Sequence, residues 1–291
     1  MKTRELREYY QELSKLNNSF THYTFVWNQF GIDYLETINT NSDVLTSEYF
    51  SANPYKRKHN IKLIDLENEH EKTNETLIQG IFTLIYSYFE SYLKSVLEFS
   101  QKVDNDIKSI ESKLEGVEND FILIDKILNR ISIEKSDLEP DMLSTLDYFR
   151  LKRNRLTHQN SENISRSLNQ LIKSNGQSLN NYWDLKLPSK RQGIDFFQKE
   201  NTNDLNFNII IDTLNMFRVL SAEIDLRLID KLNIKNIATN LIIPQFINLH
   251  YKKIKHFKVE RKILKFRSYC RTEYAFNVTD EIIDLFKSSI A

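Results

Sequence analysis

Apolar residues recur every three or four positions along most of the chain, which is the spacing of one face of an α-helix. Residues 3–17 and 23–38 show this pattern and predict two consecutive amphipathic helices, with Gly31 as a weak point in the second. The polar stretch 39–59 is typical of a linker. We therefore expect a boundary near residue 66.

The longest periodic stretch covers residues 68–103, where apolar side chains form one broad face and predict a core helix. Two shorter amphipathic segments, 104–114 and 118–133, are expected after it. Pro140 stands where a further helix would place its first residue, because proline is favoured at that position. The apolar pattern then continues as far as His158.

Beyond residue 173 the pattern changes. Residues 174–206 carry glycines and a proline and are predicted to be non-helical, with a short hairpin as one option. A strongly amphipathic helix is predicted at 207–232, and the remainder is helical with shorter periods. The predicted fold class is all-α: an antiparallel helical bundle at 67–232, an N-terminal helical extension at 1–66 and a basic C-terminal segment at 233–291.

Composition supports this fold class. The 291 residues include only 5 Gly and 4 Pro, too few for the turns of a β-rich protein. A hydrophobic share of 40% with 12% aromatic residues indicates a chain that folds around a core. The formal net charge of zero predicts no class of partner, so any electrostatic argument depends on local patches.

Several kinds of site are excluded by what the sequence lacks. A single cysteine, Cys270, excludes a disulfide within the chain and a cysteine-based zinc site. We find no Gly-rich phosphate loop, no dinucleotide fingerprint and no serine elbow, and the histidines lack metal-ligand spacing, so neither a cofactor nor a metal is predicted. The single cysteine is what a reducing cytosol would leave, so we expect a cytoplasmic protein. The charged start and the absence of a long apolar run predict that it is neither exported nor embedded in a membrane.

A polar notch interrupts the apolar face of the helix that is predicted to end at His158. Arg153 falls in line with the apolar Phe149, which places a permanent charge on or beside the buried stripe. Such a position is costly unless the charge is satisfied. Arg150, Asn154 and His158, spaced by four, form the adjacent stripe, so that Arg153 and His158 can reach the same small volume.

Residues of these types suit the transesterification of RNA. His158 can act as general base or acid near neutral pH, and Arg153 can match the geometry of a phosphate with paired donors. Asn154 can orient either the imidazole or the phosphate. This chemistry needs no metal ion, because a ribose 2′-hydroxyl supplies the nucleophile.

The spacing Arg153-Asn154-x-x-x-His158 resembles the signature of HEPN-domain ribonucleases, in which a polar residue follows the arginine and a histidine follows after a short gap. The earlier helix, with Glu90 directly after an aromatic residue, is similar to the helix of such bundles that carries an acidic residue. This resemblance covers roughly residues 68–232. It implies a HEPN-like bundle, a homodimer with two copies of Arg153 and His158 in one cleft, and a toxin or antiviral defence effector with an antitoxin or defence-system partner.

One position departs from the family pattern. In HEPN toxins that are silenced by a nucleotidyltransferase antitoxin, a tyrosine two residues after the histidine is the residue that becomes modified. Asn160 stands at that position here. This argues against adenylylation at that site and leaves the manner of control open.

Structural alternatives stay open for these residues. Glu90 can pair with Arg153 or can simply border the solvent face of its own helix. Arg153 can be a partly buried arginine in a salt bridge, with His158 an ordinary surface histidine near a helix end.

The C-terminal segment adds a basic patch. Residues 251–271 contain nine Lys or Arg against one acidic residue, with aromatic residues between them. One interpretation is contact with RNA, in which cations neutralise phosphates and rings stack on unpaired bases. The other is a solvated face whose aromatic residues pack inward. The predicted RNA-binding residues are Lys252, Lys253, Lys255, Lys258 and Arg261.

Three functions are compatible with the sequence. The first is a metal-independent endoribonuclease that leaves 2′,3′-cyclic phosphate ends and requires His158. The second is a non-catalytic HEPN-like module that binds nucleotide or RNA for a partner protein. The third is a helical adaptor, in which Arg153 makes an ordinary buried polar contact and its removal destabilises the fold.

Overall fold

The computed structural model is all-α, and 79% of the residues that it describes are helical, which confirms the predicted fold class. The structure describes residues 1–111, 122–157, 166–188, 193–197 and 205–290. Within these ranges it contains no β-strand, and one isolated antiparallel bridge joins Leu45 to Lys62. In the same ranges, no helix combines the length and the apolar character needed to cross a membrane.

The longer helices are α1 (Arg4–Thr40), α3 (Leu66–Val103), α5 (Pro140–Thr157), α6 (Arg166–Lys186), α7 (Phe207–Leu232) and α10 (Val259–Tyr274). The shorter ones are α2 (Thr46–Tyr49), α4 (Leu123–Arg130), α8 (Ile234–Ile237), α9 (Ile243–Ile254) and α11 (Asp280–Ile290). Single turns of 3₁₀-helix occur at Leu63–Asp65 and Lys135–Asp137, and a π-helical turn, Ala238–Ile242, joins α8 to α9.

The N-terminal residues form one helix of 37 residues, so the prediction of two helices is wrong. A buried stripe runs along α1 through Leu6, Tyr9, Leu13 and Phe20 and packs against α3 and α7. The serines and asparagines between Leu13 and Phe20 have low helix propensity, but burial of the residues on either side outweighs it. Gly31 lies within the helix and does not end it.

The start of α1 is fixed to α7 by a buried contact. The backbone N–H of Thr3 donates to the Asp225 carboxylate at 3.1 Å, and the Thr3 hydroxyl donates to its other oxygen. The same hydroxyl oxygen accepts from the Leu6 N–H at 3.1 Å and caps the helix. Burial raises the pKa of Asp225 above its ordinary value, and the bonds from Thr3 oppose that shift.

The prediction for residues 174–206 is wrong in its first part, because α6 continues to Lys186. Gly176 is a site of close approach within the helix. A Cβ atom there would lie 2.7 Å from the carbonyl oxygen of Phe196 and 2.8 Å from the Cα of Phe197. The described part of this region has no strand, so the hairpin is not found there. The glycine therefore allows the backbone of residues 196–197 to pack closely against α6, whereas the sequence pattern indicated a break in the helix at this position.

The segment after α3 also differs from the prediction. Residues 104–111 form turns, and the next helix, α4, begins only at Leu123. The Asp104 carboxylate accepts the Asp106 N–H at 2.9 Å, a local bond that competes with helix formation. The rest of the two predicted segments, at 112–121, lies outside the described residues.

The core lies where α3, α5 and α7 meet. The ring of Phe149 on α5 lies 6.0 Å from that of Phe82 on α3 and 5.0 Å from that of Phe217 on α7. Trp183 on α6 is fully buried and donates to the Thr145 hydroxyl at 2.8 Å. One hydrophobic cluster includes residues of all three predicted segments. The division of the chain at residues 66 and 232 stays a prediction.

Candidate functional site

The notch on α5 lies where the buried stripe of the helix ends. Met142, Leu146 and Phe149 are buried as predicted, whereas Leu156 is only half-buried. Arg153, between Phe149 and Leu156, is also half-buried. The helix therefore carries its arginine at the edge of the core, where part of the guanidinium is shielded from water.

A tyrosine of α3, Tyr86, lies next to this arginine. The guanidinium carbon of Arg153 lies 5.8 Å from the centroid of the Tyr86 ring, within the range of a cation–π contact. Tyr86 is 7% exposed. Burial raises the pKa of Tyr86 to about 12, so its hydroxyl keeps its proton at neutral pH and can act as a donor.

Four charged groups act on the Tyr86 hydroxyl. Beyond burial, the charge of Glu90 raises the pKa of Tyr86, Arg150 and Arg153 lower it, and Asp147 raises it. These residues, together with Asn154, are called the Arg153 cluster below. The structure thus brings the predicted Arg150, Arg153, Asn154 and Glu90 together. It adds two residues that the sequence analysis missed: Tyr86, four residues before Glu90, and Asp147, three before Arg150.

The two arginines of the cluster have different partners. Arg150 donates to one oxygen of Asp147 through Nε at 2.9 Å and through Nη2 at 2.6 Å. Arg153 donates only a long hydrogen bond of 3.3 Å, from Nη1 to the Asn154 side-chain oxygen. The Nε of Arg153 is buried and has no hydrogen-bond partner. Among the described residues, Arg153 forms no salt bridge, whereas the charge of Arg150 is paired.

The pairing of Glu90 with Arg153, one of the two predicted alternatives, is not formed: no ion pair joins these side chains. Glu90 is half-buried on α3, at the border of the apolar face. Its connection with Arg153 is indirect, since both act on the hydroxyl of Tyr86. The structure agrees with the alternative in which Glu90 borders the solvent face of its helix.

His158 and Asn160 lie outside the described residues, which on α5 end at Thr157. The meeting of Arg153 with His158 therefore stays a prediction. Lys152, which the sequence analysis did not single out, is 1% exposed, and its ammonium group lies 5.6 Å from the Tyr148 ring centroid. The half of α5 that carries the motif thus has a buried cation next to Arg153.

A cleft of about 380 Å³ adjoins the cluster. Its polar lining comes from Asp125, Lys135, Ser144, Asp147 and Arg150, and apolar residues of α4, α5 and α6 complete it. The Lys135 ammonium pairs with Asp125 at 3.2 Å. This volume lies within the usual range for ligand clefts, and its wall of Asp147 and Arg150 is shared with the Arg153 cluster.

The basic C-terminal segment has exposed cations, but its aromatic residues are largely packed. Phe266 is fully buried and stacks on Phe286 at 4.3 Å, and Tyr269 packs on Phe246 at 5.3 Å. The Phe257 ring is covered by the guanidinium of Arg261 at 4.3 Å. The predicted cations are exposed and form no salt bridge in the described part of the chain: Lys252, Lys253, Lys255, Lys258 and Arg261. An electrostatic contact with phosphates is available there, whereas base stacking on Phe266 is not.

No group of His, Cys, Asp or Glu side chains that could hold a metal ion occurs within the described ranges. Comparison of the chain with protein-family models, curated proteins and solved structures gave no match. The geometry of the cluster and the spacing of the motif are therefore the basis for a functional proposal.

Proposed function

We propose that this chain is a HEPN-like endoribonuclease that cleaves RNA by attack of a ribose 2′-hydroxyl on the neighbouring phosphate, without a metal ion. The observation that carries the proposal is the state of Arg153. Its guanidinium is half-buried against Tyr86, its Nε lacks a partner, and no carboxylate of the described residues pairs with it. A cation that is partly desolvated and unpaired gains more from a bound anion than one that is already paired.

In this mechanism His158 takes the proton of the 2′-hydroxyl, and the 2′-oxygen forms a bond to phosphorus. The bond from phosphorus to the 5′-oxygen breaks, and that oxygen leaves with a proton from an acid. The products are a 2′,3′-cyclic phosphate and a 5′-hydroxyl. Arg153 stabilises the charge that develops on the phosphate oxygens, with Asn154 and the protonated Tyr86 hydroxyl as further donors.

The other predicted features belong to the same proposal. A homodimer would place two copies of Arg153 and His158 in one cleft, and the exposed cations of residues 251–271 would hold the RNA strand. Glu90 and Arg150 support the cluster by setting its local charge. The biological setting would be that of a cytoplasmic toxin or anti-phage defence effector, controlled by an antitoxin or a defence-system partner.

The test uses a short RNA whose cut position has been mapped, and a second RNA with a 2′-deoxy sugar at that position, both in excess chelator. We expect the first to be cut to a 2′,3′-cyclic phosphate end and the second to stay intact. Arg153→Met should lose cleavage. A matched control is Arg218→Met, because Arg218 is also half-buried and also donates to an asparagine, Asn215, at 3.1 Å.

Cleavage of the 2′-deoxy substrate would refute the mechanism, since no 2′-oxygen would be present to attack. Equal activity of the Arg153→Met and Arg218→Met variants would show that Arg153 takes no part in cleavage. Binding of RNA without turnover in all variants would favour the second function, a non-catalytic module that holds nucleotide or RNA for a partner protein.

A further inference from the structure

A second cleft, of about 260 Å³, lies between α1, α2 and the loop that leads to α3. Four aromatic side chains line it, together with two side chains that can carry positive charge: Trp27, Phe30, Phe50, Tyr55, Lys56 and His59. None of them belongs to the Arg153 cluster. The sequence pattern of this part of the chain predicts a helix followed by a polar linker.

The rings form a continuous wall. Trp27 lies 5.1 Å from Phe30 at an interplanar angle of 24°, and Phe30 lies 6.0 Å from Phe50. Trp27 is further supported by His70, whose ring stacks on it at 3.4 Å. Tyr55 stands at the rim, 67% exposed, and makes no ring contact with an aromatic side chain in the described part of the chain. The cleft therefore offers ring surface that this chain does not itself cover.

The loop that closes the cleft is held by its own hydrogen bonds. The Phe50 N–H donates to the Thr46 carbonyl at 2.9 Å, and the Tyr55 N–H donates to the Asn53 side-chain oxygen at 2.8 Å. The Thr46 hydroxyl donates to the His59 carbonyl at 2.6 Å, which joins the two ends of the loop. A ligand would meet a preformed cleft and would lose little affinity to ordering of the loop.

The loop at 49–64 carries a local excess of positive charge beside the cleft, with Glu48 and Asp65 at its two borders. Residues 49–64 contain four Lys or Arg and no Asp or Glu. Lys62 pairs with Asp43 at 2.7 Å, whereas Lys56, Arg57 and Lys58 form no salt bridge with a described carboxylate. Of these three cations, Lys56 lines the cleft. A cation without a carboxylate partner beside exposed rings matches a ligand that combines a planar ring with a negative charge.

We propose that this cleft binds a nucleotide, with the base stacked on the aromatic wall and the phosphate on the basic loop. The volume of about 260 Å³ is slightly below the range usual for drug-sized ligands, and it therefore suits a single ring system. A free nucleotide and an unpaired nucleotide of single-stranded RNA share this chemistry. The inference goes beyond the proposed nuclease and does not depend on it.

The full chain is tested by equilibrium dialysis with adenosine monophosphate and, separately, with a short 2′-O-methyl oligoadenylate, which cannot be cut by 2′-hydroxyl attack. Tyr55→Ala should weaken binding by about 5- to 150-fold, the loss expected for one stacked base. The matched control is Phe25→Ala, because Phe25 is also an exposed aromatic residue, at 65%, and does not line the cleft. Tryptophan fluorescence locates the ligand, since Trp27 lines the cleft and Trp183 is fully buried.

The two ligands distinguish the sources of the nucleotide. Equal affinity for both ligands, with the same modest salt dependence, would identify a free nucleotide, whereas tighter and more strongly salt-dependent binding of the oligomer would identify RNA. Either result supports the proposal. Absence of binding for both ligands, or equal affinity of Tyr55→Ala and Phe25→Ala, overturns it. Lys56→Glu, with Lys94→Glu as a control outside the cleft, tests the charge: a loss of affinity in the first variant alone is expected, and equal affinity of the two variants overturns the role of the basic loop. Binding that survives in His158→Ala shows that the cleft is independent of the nuclease site.

Discussion

Replacement of Arg153 by methionine is expected to stabilise the fold slightly, because the arginine is poorly satisfied where it lies. The change removes a cation–π contact with Tyr86, which contributes about 0.5–1 kcal/mol, and the long hydrogen bond to Asn154, about 0.5 kcal/mol. It also removes a buried Nε that has no partner. Burial of that group destabilises the folded wild type by about 1–3 kcal/mol, so its removal is favourable. Methionine keeps an unbranched stem that can fill the same space. The net gain is about 1 kcal/mol, or about 1.5 to 2 °C in the melting temperature of a chain of this length.

The assay is urea unfolding followed by the helical circular dichroism signal, with Arg150→Met as the control. Arg150 donates twice to Asp147, so its replacement should cost about 0.5–1 kcal/mol, a small amount because the pair is partly exposed. A loss of more than about 2 kcal/mol in the free energy of unfolding of Arg153→Met would contradict this prediction, because a loss of that size is typical when a buried group is left without its partner. It would show that Arg153 supports the fold and would favour the adaptor function.

Three further outcomes follow from buried groups elsewhere. Gly176→Ala should destabilise the fold by about 1–3 kcal/mol in urea unfolding, since the added Cβ meets the backbone of residues 196–197; Gly80→Ala, with open space around it in α3, should stabilise by up to about 1 kcal/mol. Burial raises the pKa of Asp225 above its ordinary 3.8, so between these values the folded chain binds more protons than the unfolded chain. Stability should fall as pH rises through that window in the wild type and not in Asp225→Asn; parallel pH profiles would contradict this. Burial raises the pKa of the Cys270 thiol to about 12, so a thiol reagent at pH ~8 should react only after unfolding.

Helices whose buried stripes are unbroken could be predicted from the sequence. The prediction at 207–232 matches α7, and that at 68–103 differs from α3 by two residues at its start. Where polar residues or a glycine interrupt the stripe, the local pattern was misleading. Phe20 holds α1 in place beyond its polar stretch, and Gly176 is required by a contact with Phe196. Such contacts between distant residues are not encoded in local spacing.

The candidate site could be predicted only as far as one helix determines it. Arg150, Arg153 and Asn154 are neighbours because of helix geometry alone. Tyr86 joins them only through the packing of α3 against α5, and the sequence offered no sign of that contact beyond its spacing of four from Glu90. The spacing of residues along α5 likewise does not determine that the Nε of Arg153 is buried without a partner.

The basic C-terminal segment shows the same limit. Charge counting identified residues 251–271 correctly as rich in exposed cations, because long charged side chains rarely become buried. It could not decide whether the interleaved rings face outward. Phe266 and Tyr269 pack against other rings of the C-terminal helices, so the inward alternative holds for them.

The most direct test of the proposed nuclease is incubation of the wild type and His158→Ala with total cellular RNA in excess EDTA, after both are shown to melt at similar temperatures. We expect the wild type to degrade RNA and the variant to leave it intact. Equal degradation by both proteins, or intact RNA with both, would contradict a metal-independent nuclease that depends on His158.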